Sequence, residues 1–206
     1  MLKIWGRKNS VNVQKVLWCC EEIGVEYQRI DAGGDFGIVA TLQYRSLNPN
    51  ALVPTIEDEG FVLWESHAIV RYLAAKHKAR NVWPDDLKTR AEADQWMDWS
   101  SSTFWPALRP LFMGLVRTPA NQRDPHSLED HRLTTGAVLV IVDRHLKSRA
   151  FLAGDAFTVS DIALGCGVWR WMALPIERPL LPNVQRWFDS LTRRPAYQKI
   201  VMLPLS

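Results

Sequence analysis

The chain of 206 residues contains only three cysteines, Cys19, Cys20 and Cys166. They are too few and too oddly spaced for a disulfide framework, and the vicinal Cys19-Cys20 pair falls in a helical pattern rather than in a C-x-x-C turn. Two readings of that pair stay open: reduced core thiols, or a thiol-redox role for one of them. The five histidines, His67, His77, His126, His131 and His145, form no H-E-x-x-H or clustered ligand pattern, so a metal site has no support. No run of about 18 apolar residues exists to cross a membrane. The opening Met1-Leu2-Lys3-Ile4-Trp5-Gly6-Arg7 meets charge too soon for a signal peptide's apolar region. Charge of either sign is also unconcentrated: 25 basic and 22 acidic residues give a net +3 with no basic stripe, which disfavours nucleic acid as a partner. Internal repeats and low-complexity segments are missing too. These absences together predict a cytoplasmic globular protein.

With 47% hydrophobic residues, the chain is long enough to bury a full core in one large or two small domains. Residues 2–5 read as a short strand, followed by the helical spacing Val13-x-x-Val16-Leu17 that Gly24 closes just past its end. Tyr27-Gln28-Arg29-Ile30 reads as a second strand, the glycine-rich stretch 32–37 as a loop, and Pro54 and the residues after it as a hairpin that leads into a helix from Ser66 to about Lys76. Such a βα unit is too small for a doubly wound nucleotide domain and fits a compact mixed sheet with helices on its faces. Charged residues and Pro84 then mark a linker at about 78–87, and no convincing strand follows it. Leu87 to Met113, Ala137 to Leu146 and Asn183 to Arg193 read as helices. Thr158-Val159-Ser160-Asp161 is a capping box opening the helix at Ile162, a structural signal rather than a catalytic one.

Two stretches suggest binding. Pro54 has no N–H for a ladder, so in Leu52-Val53-Pro54-Thr55-Ile56 it should leave neighbouring backbone groups, those of Val53 above all, for a ligand. Glu65 and Ser66 stand between the strand Phe61-Val62-Leu63-Trp64 and a helix, where exposed N–H groups and the helix dipole favour an anion such as a carboxylate. Each stretch taken alone also reads as a plain hairpin followed by a capped helix.

In order along the chain, Ser10-Val11-Asn12-Val13-Gln14-Lys15-Val16, Asn48-Pro49-Asn50-Ala51-Leu52-Val53-Pro54, Glu65-Ser66-x-Ala68-Ile69, Phe151 to Asp161, and Leu181-Pro182-Asn183-x-x-Arg186-Trp187 resemble the cytosolic glutathione transferases. The likeness covers nearly the whole chain, and the Ser-x-Asn spacing is similar to that of the serine-type, phi/theta-like members and their bacterial relatives. It implies a thioredoxin-like N-terminal domain over 1–80 and an all-helical C-terminal domain over 88–206, the two usually paired as a homodimer, with Pro54 in a cis peptide bond. It also implies Ser10 as the catalytic residue: its hydroxyl donates to the sulfur of glutathione and favours the thiolate. A free thiol near ~8.5 is only a few per cent ionised at neutral pH, so lowering that value by about two makes it mostly nucleophile. Asn12 is implied as a second donor or as a brace for Ser10. As residue types, both also suit the cap of the helix that follows.

By the same resemblance, Val53 pairs its backbone with the cysteinyl part of glutathione, Leu52 contributes only its backbone, and Pro54 shapes the turn. Glu65 and Ser66 hold the γ-glutamyl amine and carboxylate, though Glu65 also suits a helix start through the dipole alone. The loop Phe36 to Leu42 lacks the lysine that relatives use on the glycyl carboxylate, leaving Arg45 or Gln43 as substitutes. The electrophile's pocket, between the domains, draws on Trp96, Trp99, Phe104, Trp105 and Phe112, with Trp105 and Phe112 the chosen candidates, although aromatics at helical spacing also make core or interface. The implied activity is conjugation of glutathione to hydrophobic electrophiles. Glutathione-dependent reduction of peroxides or disulfides, and a non-catalytic binding or regulatory module on the same fold, are the alternatives.

Overall fold

The computed structural model describes residues 1–206. Four short strands, β1 (Leu2–Trp5), β2 (Tyr27–Ile30), β3 (Thr55–Asp58) and β4 (Phe61–Trp64), form one mixed sheet in the order β2-β1-β3-β4. The β1–β2 pair is parallel, as a crossover through α1 (Val11–Ile23) requires, whereas β3 runs antiparallel to β1 and to its hairpin partner β4. Ile4 and Ile56 face each other in the ladder and are fully buried. α1 and α3 (Ser66–Lys76) pack together against the sheet, and α2 (Leu42–Leu47) adds Tyr44, whose ring meets Trp5 edge-on at 5.9 Å. The sheet and these three helices form the thioredoxin-like arrangement. Gly24 ends α1 in the left-handed region, at φ 68°, and returns its N–H to the Cys20 carbonyl.

After a stretch without regular structure, the chain is helical: α4 (Leu87–Trp99), α5 (Trp105–Phe112), α6 (Pro125–His145), α7 (Val159–Ala173), α8 (Pro182–Thr192) and α9 (Pro195–Ile200). The helix expected over Leu87–Met113 is not continuous. Pro106 and Pro110 lack the amide that a helix interior uses, and the backbone takes wider π-type turns at Ser100–Phe104 and Met113–Arg117, on either side of α5. α7 is the central helix and packs on α1, α4, α5 and α8. An added Cβ at Gly165 would lie 2.8 Å from Leu191 Cδ1 and 3.1 Å from Trp18, so only glycine allows α1 and α8 to approach α7 this closely.

One continuous apolar core of 44 buried residues runs through both halves. Trp18 sits at their junction, fully buried, 4.6 Å from the Tyr197 ring and 5.5 Å from that of Phe157. Its Nε1 donates to Glu22 at 2.7 Å, and Arg194 grips the same carboxylate through Nε at 2.8 Å and Nη2 at 2.6 Å. No helix is long and apolar enough to cross a membrane.

Candidate functional site

Beyond β1 the chain turns through Gly6, whose φ of 155° and contact with Val13 exclude a side chain, and the turn sets Ser10 at the head of α1. Ser10 has the extended backbone of an N-cap, and its carbonyl accepts from Gln14 N–H at 2.9 Å, yet its side chain makes no capping bond. Ser10 is thus a largely buried residue whose hydroxyl is uncommitted, beside first-turn amides that no helix carbonyl can reach. That differs from the ordinary serine cap, in which the oxygen is spent on an N2 or N3 amide.

Asn12, two residues on, makes no bond to Ser10. Its Oδ1 accepts from Lys15 Nζ at 3.1 Å, and the same ammonium lies 2.9 Å from His67 Nε2. A charged lysine only donates, so His67 presents a bare Nε2 and Asn12 keeps its amide N–H groups for other partners. Burial, reinforced by Lys15 and Arg71, pushes His67 down to about 2 and keeps it neutral. Burial also pushes Lys15 down to about 8, against the attraction of Glu65.

The Val53-Pro54 bond is cis. The turn before it is clamped by Asn48 and Tyr44: Leu52 C=O accepts from Tyr44 Oη at 2.7 Å and from Asn48 Nδ2 at 3.0 Å, and Thr55 Oγ1 meets the same two groups at 2.9 and 3.1 Å. Val53 is left with neither its N–H nor its C=O paired within the protein. At the head of α3, Glu65 holds φ 72° and ψ 113°, a conformation costly for a residue with a Cβ and typical of strain kept at functional sites. Its carboxylate is exposed and the adjacent Ser66 is a largely buried residue; neither side chain bonds to another protein group.

The aromatic candidates divide. Trp96 and Phe104 are core, Trp96 packing against Trp99 at 5.1 Å and His145 at 4.5 Å. Trp105 is half-buried, 6.4 Å from Phe112, which lines a small hollow with Asn9, Gln14, Trp169 and Arg170. The last residues of the chain cross this hollow: Trp169 Nε1 donates to Leu203 C=O at 3.1 Å, and Ser206 bonds Asn9 Nδ2 through its hydroxyl and Arg117 Nη2 through its backbone oxygen, each at 2.5 Å. A groove of about 680 Å³ lined by Leu115, Trp169, Leu174 and Met202 runs alongside. Another of about 680 Å³, between Arg178 and Arg193, shares no residue with the site.

Arg7, Arg117, Trp169 and Arg170 are site-flanking residues that the sequence reading passed over. Only Arg170 carried a signal, a lone charge in the apolar run Val168-Trp169-Arg170-Trp171-Met172. Arg71 holds Asp94 at 2.5 Å and Asp98 at 2.6 Å within its own chain, so its charge is satisfied there. The three cysteines are all buried, with thiols pushed up by burial, Cys20 and Cys166 to about 12, so they have the inert character of core residues.

Residues 9–76 match the family model described as glutathione S-transferase, N-terminal domain, and residues 103–195 match glutathione S-transferase, C-terminal domain. The chain is 41% identical over 208 residues, covering 100% of both sequences, to glutathione S-transferase GstB of Escherichia coli K12. It is 31% identical to a probable glutathione S-transferase, GSTF2, of Oryza sativa, covering 98% of this chain and 96% of that one. Among solved structures, the theta-class glutathione S-transferase of Xanthomonas axonopodis pv. citri with glutathione bound superposes with a TM-score of 0.96 at 48% identity, covering 100% of this chain and 99% of that one.

Proposed function

Because the chain belongs to the glutathione S-transferase family, we propose that it binds glutathione at the head of α1, ionises the thiol through Ser10 and transfers the thiolate to hydrophobic electrophiles. The observation that carries this is the uncommitted Ser10 hydroxyl at a helix start where a serine would ordinarily be spent on capping. In this reading Val53 offers its free N–H and C=O to the cysteinyl backbone, Leu52 and Pro54 fix that turn, and Glu65 and Ser66 take the γ-glutamyl amine and carboxylate. Asn12, its oxygen held by Lys15, turns N–H groups toward the sulfur. The glutathione half of the site belongs to a domain over residues 1–80. The electrophile, received by Trp105 and Phe112, lies against a helical domain over 88–206.

The reaction forms a C–S bond to the electrophilic carbon as the leaving group departs with its electron pair, and the thiol proton passes to solvent. No metal is required. Reduction through a cysteine of the protein has no support, since all three thiols are buried and protonated. Exposed Phe61 and Trp64 on the edge strand β4 support a homodimer, which sedimentation at twice the 23.6 kDa chain mass checks. The three free thiols fit a reducing, cytoplasmic setting.

Calorimetric titration with glutathione and turnover of an aryl halide test the proposal, with Ser10→Ala measured alongside. The expected result is binding in both proteins and a fall in kcat/KM of about 10²-fold in the variant, the scale set by loss of one donor to a developing anion. Unchanged turnover in the variant would reduce Ser10 to a structural helix start.

A further inference from the structure

We infer that the electrophile side of the site is built for substrates carrying a carboxylate, or an anion of similar size, beside an apolar body. This rests on the glutathione-transferase reading above and narrows its substrate class. Three guanidinium groups surround the turn that carries Ser10, and none takes part in any of the molecule's ion pairs. Arg170, only 4% exposed, gives one N–H to Cys166 C=O at 2.8 Å and one to Asn9 C=O at 2.9 Å, and its cation stands 5.7 Å from the Phe112 ring. Asn9 immediately precedes Ser10, so this charge lies one residue from the activating hydroxyl. Arg117, exposed, reaches the same corner through Ser206, which also touches Asn9, and spends one of its five N–H groups there. The Arg7 guanidinium makes no hydrogen bond to the protein, while the Arg7 backbone donates to Ala32 C=O at 3.0 Å and accepts from Ser10 N–H at 3.2 Å. Its side chain lies over the glycine loop, where an added Cβ at Gly34 would come 3.2 Å from its Cδ.

The three are close enough to act on one another. Burial chiefly, opposed by Cys166 and Tyr197 and helped by Arg117 and Arg7, lowers Arg170 to about 10. Arg7 is lowered by burial and by Arg117, with Asp35 alone opposing. Elsewhere on the chain Arg71, Arg149 and Arg194 each have a carboxylate. With Asp35 as the one acidic side chain acting on Arg7, three cations outnumber their counter-ions and repel one another, and an anion bound among them relieves that repulsion. Phe112, Trp105 and Trp169 supply the apolar wall beside it, a combination that a neutral electrophile would use only in part.

The test compares 4-(chloromethyl)benzoate with 4-(chloromethyl)benzamide, a pair matched in shape and differing in charge at a distance from the reacting carbon. In both, the thiolate sulfur bonds to the benzylic carbon and chloride leaves with the electron pair. The ratio of kcat/KM, benzoate to benzamide, is expected to exceed about tenfold and to approach one in Arg117→Gln and in Arg7→Gln, and to fall as salt is raised from low to high ionic strength. Arg117→Glu is expected to invert it. The glutathione thiolate absorbance, recorded on each variant, establishes that the glutathione half is intact. Thiolate formation and benzamide turnover with a ratio near one in the unsubstituted protein would overturn the inference and leave the transferase reading standing. A ratio that the arginine variants do not move would overturn the assignment to these residues. Failure to bind glutathione or to turn over either compound would overturn both.

Discussion

At the residue scale, the site is a set of polar groups left deliberately unspent. Ser10 keeps its hydroxyl, Val53 its backbone pair and Ser66 its side chain, while the neighbours that hold them are fully engaged: Asn48 and Tyr44 under the proline turn, Lys15 behind Asn12. The sequence pointed to Val53 and Ser66 through the local chemistry of Pro54 and of a helix start, and to Ser10 only through the family resemblance, its residue type alone fitting a helix cap. The buried Lys15–His67 contact was not legible there, since it joins residues 52 positions apart across α1 and α3. That contact has a measurable consequence. Lys15 sits at about 8 in the folded protein against 10.5 as a free side chain, so between those values the unfolded chain binds more protons. Stability attributable to Lys15 therefore rises with pH from about 8 to about 10.5, and below about 8 the cost of burying the charge is fully present. Urea midpoints measured at pH 8 and pH 10 for the protein and for Lys15→Met are expected to show this rise in the former and not in the latter. An identical pH response in both proteins would mean that the ammonium is solvated.

At the element scale, the strands, α1, α3 and the capping box at α7 follow from periodicity and capping residues that the sequence states openly. α2 escaped because only Tyr44 of its six residues is buried, and a cap from Thr41 to Tyr44 N–H at 3.2 Å sustains it without an apolar stripe. Most of α6 lacked a signal for the same reason: Pro125 and Asp124 open it well before the apolar run at Ala137. The helix expected over Asn183 to Arg193 is followed at once by α9, which Pro195 opens, since its fixed φ suits a first helical position. The capping box does more than start a helix. Fully buried Asp161 accepts from Thr158 N–H at 2.8 Å, Leu152 N–H at 3.1 Å and Trp187 Nε1 at 2.8 Å, tying the turn before α7 to α8. Asp161→Asn turns an amide NH₂ toward those donors, and a loss on the order of 3 kcal/mol is expected from the denaturation midpoint at constant m. A loss below about 0.5 kcal/mol would place Asp161 among ordinary surface caps.

At the scale of the whole molecule, the sheet unit and the helical unit share one core, with α1 belonging to both the turn that carries Ser10 and the junction. Trp18 and the Glu22–Arg194 pair lock that junction, Glu22 being 10% exposed in its side chain and Arg194 31%. Arg194→Ala leaves the Glu22 carboxylate with the Trp18 indole as its remaining partner, and a cost of about 1–2 kcal/mol is expected after allowing for solvent at the arginine. Because the core is continuous, tryptophan fluorescence and far-ultraviolet circular dichroism should report one coincident unfolding transition in the unsubstituted protein; separated transitions would show that the halves are only loosely joined. The architecture was legible in the sequence at the level of a mixed sheet followed by helices. The cationic corner where the chain's end meets Asn9 and Arg117 was not, because it joins residues from opposite ends of the sequence. The central claim, that Ser10 at the head of α1 ionises the glutathione thiol, is tested most directly by the ultraviolet difference spectrum of bound glutathione as pH is varied, with and without Ser10→Ala. A bound thiol titrating well below its free value, with the shift lost in the variant, is the predicted result. A bound thiol that titrates at its free value, or a shift that survives the substitution, would contradict it.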